Sequence, residues 1–247
     1  VVNDIDRRLY RWDGPERSIA LTPASGHGTI HYADCVHDAT RARVICVEER
    51  HHANGWVENL LVAIADDGSE RRHVLARGDF VAAPRIDSGG RRLAWISWSL
   101  PDMPWDRTRL WVADLDDTGL ANTRCVASGA SIVDPQWGPD GALFYLSDAS
   151  GYWRLHAWNG ATQREIATTR DLSSPQLRLN FPRYAIVDRQ TVIAAETIAA
   201  RTRLIRIDLA TGSVEPLPLP HVDAHSIRRL DQHQICFVGA SEDTLPA

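Results

Sequence analysis

The sequence predicts an all-β chain, a β-propeller of four-stranded antiparallel blades, on three observations. A strand-and-turn unit recurs at a nearly fixed interval, its apolar residues alternate with period two, and no long stretch carries helical periodicity. The recurring unit is clearest in RLYRWDG (8–14), LLVAIADDG (60–68), LWVADLDDTG (110–119), LHAWNG (155–160) and LIRIDLATG (204–212). Its leading leucines, Leu9, Leu60, Leu110, Leu155 and Leu204, stand 51, 50, 45 and 49 residues apart. A second unit precedes several of them, as in APRIDSGGRRLAWISW (83–98) and DPQWGPDGALFYLSD (134–148), with weaker copies at 32–49 and 181–196. Each repeat therefore reads as strand A, tight turn, strand B, longer loop, strand C, tight turn, strand D, the pattern of a propeller blade. A β-sandwich also has many short strands but does not require sequence copies at one period.

Four complete blades are expected at about 27–78, 79–129, 130–170 and 171–220. Residues 1–26 supply the outer half of a preceding blade and 221–247 begin a further one, so all 247 residues form a single partial propeller domain. The opening VVNDIDRRLY has no initiator Met and no apolar leader, and reads as the middle of a longer chain.

Composition excludes several function classes. The hydrophobic fraction of 44% and mean hydropathy of -0.27 describe an ordinary globular chain, with no apolar run long enough for a membrane span. All 27 basic residues are arginine, which removes Schiff-base chemistry and a phosphate-loop lysine and points to a GC-rich bacterial genome. A net charge of -5 and scattered arginine pairs give no reason to expect a nucleic-acid partner. Of the four cysteines, Cys35 and Cys46 fall opposite each other across a hairpin centred near Ala39 and Thr40. A disulfide between them stays open, but buried free thiols in a reducing bacterial cytoplasm are the preferred reading.

The tight turns, such as Asp67-Gly68, Asn159-Gly160 and Thr211-Gly212, are scaffold. The connections between strands B and C differ. They are compact in the last two blades, but in the first two they read as long segments, ERHHANGWVEN (49–59) and SLPDMPWDRT (99–108). Consecutive blades place such loops on one face, where a rigid scaffold presents His51, His52, Asp102, Met103 and Trp105, stiffened by Pro101 and Pro104. These five are the candidates for a substrate cleft or a domain interface.

Catalytic machinery is missing. Gly239-Ala240-Ser241-Glu242-Asp243 fails the nucleophile elbow at its fifth position, and there is no zinc helix, dinucleotide loop or phosphate loop. Adjacent His51 and His52 would point to opposite sides of a strand and not share one metal, so no metal and no cofactor is expected. Asp34, Asp134 and Asp223 lie at or near the start of A strands, where capping and turn roles explain them more simply than glycosidase chemistry does.

The run APRIDSGGRRLAWISWSLPDMPWDRTRLWVADLD (83–116), followed by DPQWGPDGALFYLSDASGYWRLHAW (134–158), resembles the prolyl oligopeptidase family of serine peptidases. The resemblance is to bacterial dipeptidyl aminopeptidase/acylaminoacyl-peptidase-like members. Two departures show: Ser99-Leu100 replaces an Asp-His pair before the Pro-x-Met-Pro-Trp run, and Asp87-Ser88-Gly89-Gly90 replaces Ser-Pro-Asp-Gly. The resemblance implies a seven-bladed parent whose C-terminal α/β-hydrolase domain, absent from this chain, carries the Ser, Asp and His. The propeller would gate access and contribute to the cleft while the parent hydrolyses short peptides or acylaminoacyl compounds. A stand-alone protein-binding propeller and, less so, a propeller glycosidase are the alternatives.

Overall fold

The structure is a computed structural model that describes residues 1–14, 16–24, 29–175, 178–231 and 234–243. The expected blade limits at 26–27 and the terminal 244–247 lie outside them. Among the described residues it contains twenty strands and one helical element, a 3-10 turn at Ala39–Arg41. The expectation of an all-β propeller fold with antiparallel blades holds.

A two-stranded sheet of β1 (Tyr10–Trp12) and β2 (Ser18–Ala20) comes first. Four sheets of four strands follow. The first is β3 (Ile30–Asp38), β4 (Arg43–His51), β5 (Val57–Ala65) and β6 (Arg72–Gly78). The second is β7 (Phe80–Ile86), β8 (Arg92–Trp98), β9 (Thr108–Leu115) and β10 (Leu120–Ala130). The third is β11 (Ile132–Trp137), β12 (Leu143–Ser147), β13 (Arg154–Trp158) and β14 (Gln163–Glu165). The fourth is β15 (Tyr184–Ile186), β16 (Thr191–Ile198), β17 (Arg201–Asp208) and β18 (Val214–Pro216). A final pair, β19 (Asp223–Arg229) and β20 (Ile235–Ala240), begins another blade.

The chain divides into two compact units, Val1–Met103 with Arg109–Ala127, and Pro104–Thr108 with Ser128–Ala247. In the first, alternate residues of the central strands feed two apolar layers. Cys46, Leu60 and Val62 pack with Leu9, Leu21 and Tyr32 on one side of the first blade. Ile45, Val47, Leu61 and Ala63 pack with Val81, Leu93 and Trp95 of the second blade on the other. In the second unit, Phe144, Leu146 and Leu155 share a core with Tyr184, Val192 and Ile205. Central strands buried on both faces read as nearly continuous apolar runs, as LFYLS of β12 does.

Four of the A strands break their pairing in the same way. β3, β7, β11 and β19 each carry a bulge, and Asp34, Ala83, Asp134 and Ser226 within the bulges have positive φ, near 50°. Both bulge aspartates reach the next blade of their own unit. The Asp34 carboxylate accepts the Ala83 N–H at 2.7 Å and meets Arg85 Nη1 at 3.2 Å. The Asp134 carboxylate accepts the Arg183 N–H at 3.0 Å. Both bonds span 49 residues, one period of the repeat. The C–D turns close with glycine, and at Gly212 (φ 71°) a Cβ would collide with the Ile166 carbonyl oxygen.

Candidate functional site

The connection expected at 49–59 is shorter than its sequence implied. β4 and β5 continue pairing as far as His51 opposite Val57, so only residues 52–56 form the tip. The physical reason is that Glu48 and Arg50 satisfy each other and Arg72 across the sheet, which keeps the polar ends of these strands in the ladder. Glu48 is fully buried and accepts two hydrogen bonds from Arg72, both 2.6 Å, as well as one from Arg50. The tip itself is a tight turn: Gly55 N–H donates to the His52 carbonyl (2.9 Å) and His52 N–H to the Trp56 carbonyl (2.8 Å). Trp56 stacks on the His52 ring at 4.8 Å and remains 57% exposed. Sequence reasoning named His52 and passed over Trp56, the largest exposed apolar side chain of this tip.

The other connection, residues 99–107, is a true loop. Asp102 is half-buried, its N–H bonded to the Ser99 carbonyl at 3.1 Å, and Met103 is exposed. The chain passes from one unit to the other between Met103 and Pro104. In the second unit the Pro104 carbonyl accepts the buried Ser131 hydroxyl at 2.8 Å, and Thr108 Oγ1 exchanges 2.7 Å bonds with the Ile132 backbone. Trp105, one of the five candidates on the loops, is half-buried. The proline-rich segment is pinned to β11 through backbone and hydroxyl bonds that no local pattern announces.

The structure thus places His51, His52, Asp102 and Met103 in the first unit and Trp105 in the second. His51 and His52 do not act together. His51 Nε2 contacts Glu49 at 2.5 Å, whereas His52 faces Glu58 at 3.8 Å.

At the other end of the first blade, a cavity of ≈ 540 Å³ is lined by Arg41, Arg43, Arg71, Arg72 and Asp117 among others. Each of those arginines is engaged by a carboxylate, through Asp38, Asp67, Glu48 or Asp117, so the cavity presents no uncommitted guanidinium for an anion. Asp34 and Asp134, weighed as glycosidase carboxylates, are occupied with the backbone of the next blade. The cysteines are free thiols. The bulge sets Cys35 against Cys46, whose thiol hydrogen-bonds it, lowering the Cys35 pKa and raising that of buried Cys46.

No protein-family profile and no curated protein matches the chain. Solved structures do. A puromycin hydrolase matches with a TM-score of 0.89 and 26% identity, covering 98% of this chain and 39% of that one. A puromycin-hydrolysing peptidase of Mycobacterium tuberculosis matches with a TM-score of 0.91 and 26% identity, covering 100% of this chain and 40% of that one. The fold is that of a prolyl oligopeptidase-family propeller. The chain spans about two fifths of the length of those peptidases. TolB from Acinetobacter baumannii, at 13% identity and a TM-score of 0.56 over 94% of this chain and 57% of that one, shares the fold alone.

Proposed function

We propose that this prolyl oligopeptidase-type propeller is the non-catalytic part of a serine-type peptidase that cleaves aminoacyl or short peptidyl amides, puromycin among them. The observation that carries the reading is the likeness to two puromycin-hydrolysing enzymes along the entire chain, at less than half of their length. The chain itself lacks a nucleophile elbow, so a partner α/β-hydrolase domain elsewhere in the parent would supply the acyl-enzyme chemistry. The propeller would restrict access to that domain. Its 52–56 tip and the Ser99–Met103 segment, both B–C connections of consecutive blades in one unit, would border the cleft.

The chemistry of these two segments supports that assignment. Trp56 and Met103 offer apolar surface that is wasted in water unless a ligand or domain covers it. Asp102 offers a carboxylate for the free ammonium of an aminoacyl substrate. The test is steady-state kinetics of the full-length parent on puromycin and on aminoacyl and peptidyl chromogenic amides, with Trp56→Ala, Asp102→Ala and Trp105→Ala variants. A covered Trp56 is worth about 1.5–2 kcal/mol, so kcat/KM should fall about tenfold or more. If it stays within about twofold for all variants and substrates, the segments are structural cover. No hydrolysis of any of these amides by the parent would sink the peptidase reading itself.

A further inference from the structure

We propose that His31, Glu49 and His51 form a binding site for one divalent transition ion of the zinc class. The three are brought together by the β3–β4 ladder. His31 pairs directly opposite Glu49, and His51 lies two residues beyond Glu49 on the same strand. Opposite and i+2 positions of an antiparallel pair share one face of the sheet, so all three side chains project to the same side. One donor atom from each lies within 4.8 Å of the others. The two imidazole rings have their centroids 4.8 Å apart, and Glu49 Oε1 sits 2.5 Å from His51 Nε2. Donors on a tetrahedral zinc ion are about 3.4 Å apart, so small side-chain rotations, with no backbone movement, bring these atoms into register.

The donor set selects the ion. Two imidazoles with one carboxylate suit zinc, cobalt and nickel, whereas calcium and magnesium take oxygen alone. The surroundings leave this carboxylate available. Arg50, the intervening residue, turns to the other face and is consumed by buried Glu48, while Arg77 and His52 engage Glu58. Among the described residues, in a chain with 27 arginines, Glu49 is ion-paired with His51 and with no arginine. The backbone is fixed by strand pairing on both sides of β4, which holds the ligand frame before any ion arrives. Three protein ligands leave the remaining coordination positions to water or an incoming ligand.

The experiment is calorimetric titration of the chelator-treated protein with Zn²⁺, together with the visible absorption of its Co²⁺ complex. The expected result is one equivalent bound, a higher unfolding temperature with zinc, and cobalt bands of four- or five-coordination. Binding should weaken at least about tenfold in His31→Ala, His51→Ala and Glu49→Gln, each checked by circular dichroism for an intact fold. His52→Ala, one residue away but paired elsewhere, should bind as the parent sequence does. The proposal fails if no saturable equivalent is seen, if any of the three variants binds unchanged, or if His52→Ala loses as much. Should one variant unfold, the remaining two and the cobalt spectrum decide the matter.

Discussion

The bond from Asp34 to the next blade invites a quantitative test. Ala83, which donates to it at 2.7 Å, is 2% exposed, and Asp34 itself is buried. In Asp34→Ala the Ala83 N–H is left without its acceptor in an interior that water does not reach, at a cost of about 1–3 kcal/mol. Arg85 loses its contact with this carboxylate too, but it is partly exposed and adds about 0.5 kcal/mol. The bulge residue must still hold positive φ, which alanine tolerates less well than aspartate, adding about 0.5–1 kcal/mol. The sum is about 3 kcal/mol, or roughly 6–12 °C in unfolding temperature for a chain of this size. Asp34→Asn keeps an acceptor oxygen and should lose about 1 kcal/mol. Urea unfolding followed by tryptophan fluorescence reads both variants, because Trp95 and Trp111 stack within the adjoining blade. An Asp34→Ala protein within 0.5 kcal/mol of the parent sequence would show that the carboxylate ties nothing together.

Two other predictions concern titrating groups. Alkylation by iodoacetamide near pH 8 should reach Cys35 before Cys125 or Cys236, because the Cys46 thiol stabilises the Cys35 thiolate. Cys46→Ala should erase that preference, and mass spectrometry of timed samples reads it. Burial lowers the pKa of His156, whose Nε2 lacks a hydrogen-bond partner and whose ring stacks on Tyr145. The unfolded chain therefore takes up this proton at higher pH than the folded one, and stability falls as pH drops below about 6.5. His156→Phe should flatten that part of the profile between pH 7 and 5, and an unchanged slope would assign it to other groups.

The repeat made most of the architecture legible. Leucines about 50 residues apart and glycine-closed turns located the four-stranded sheets, since both are local signals repeated five times. The polar strand ends were not legible. In Glu48-Glu49-Arg50-His51 all four residues are hydrophilic, so alternation disappears although the ladder continues. What decides that segment is Arg72, 24 residues from Glu48 and invisible to any local window. The same limit hid the candidate ion site: attention fell on His51 with its neighbour His52, whereas the ring that meets His51 belongs to His31 on another strand. Trp105 stands among the loop candidates because Pro101 and Pro104 just before it mark a loop, and the buried Ser131 contact that pins Pro104 lies 27 residues downstream.

The bulge in β3 settles the parity of the whole strand. Two residues, Asp34 and Cys35, stand against Cys46 alone, so the pairing sum changes by one across that point. Toward the Ala39–Arg41 turn, Val36 faces Ile45; toward the other end, His31 faces Glu49. Flattening the bulge with every residue kept and the turn fixed would carry the Val36–Ile45 register through the strand and bring His31 opposite Arg50 and Tyr32 opposite Glu49. His31 would then emerge on the side of Glu48 and Arg50, and Tyr32 would leave the apolar layer that it shares with Leu9 and Leu21. A single backbone residue thus acts as a phase inverter, deciding which blade surface receives the imidazole and which receives the phenol. Hydrophobic parity counted from either end of such a strand is correct only as far as the inverter.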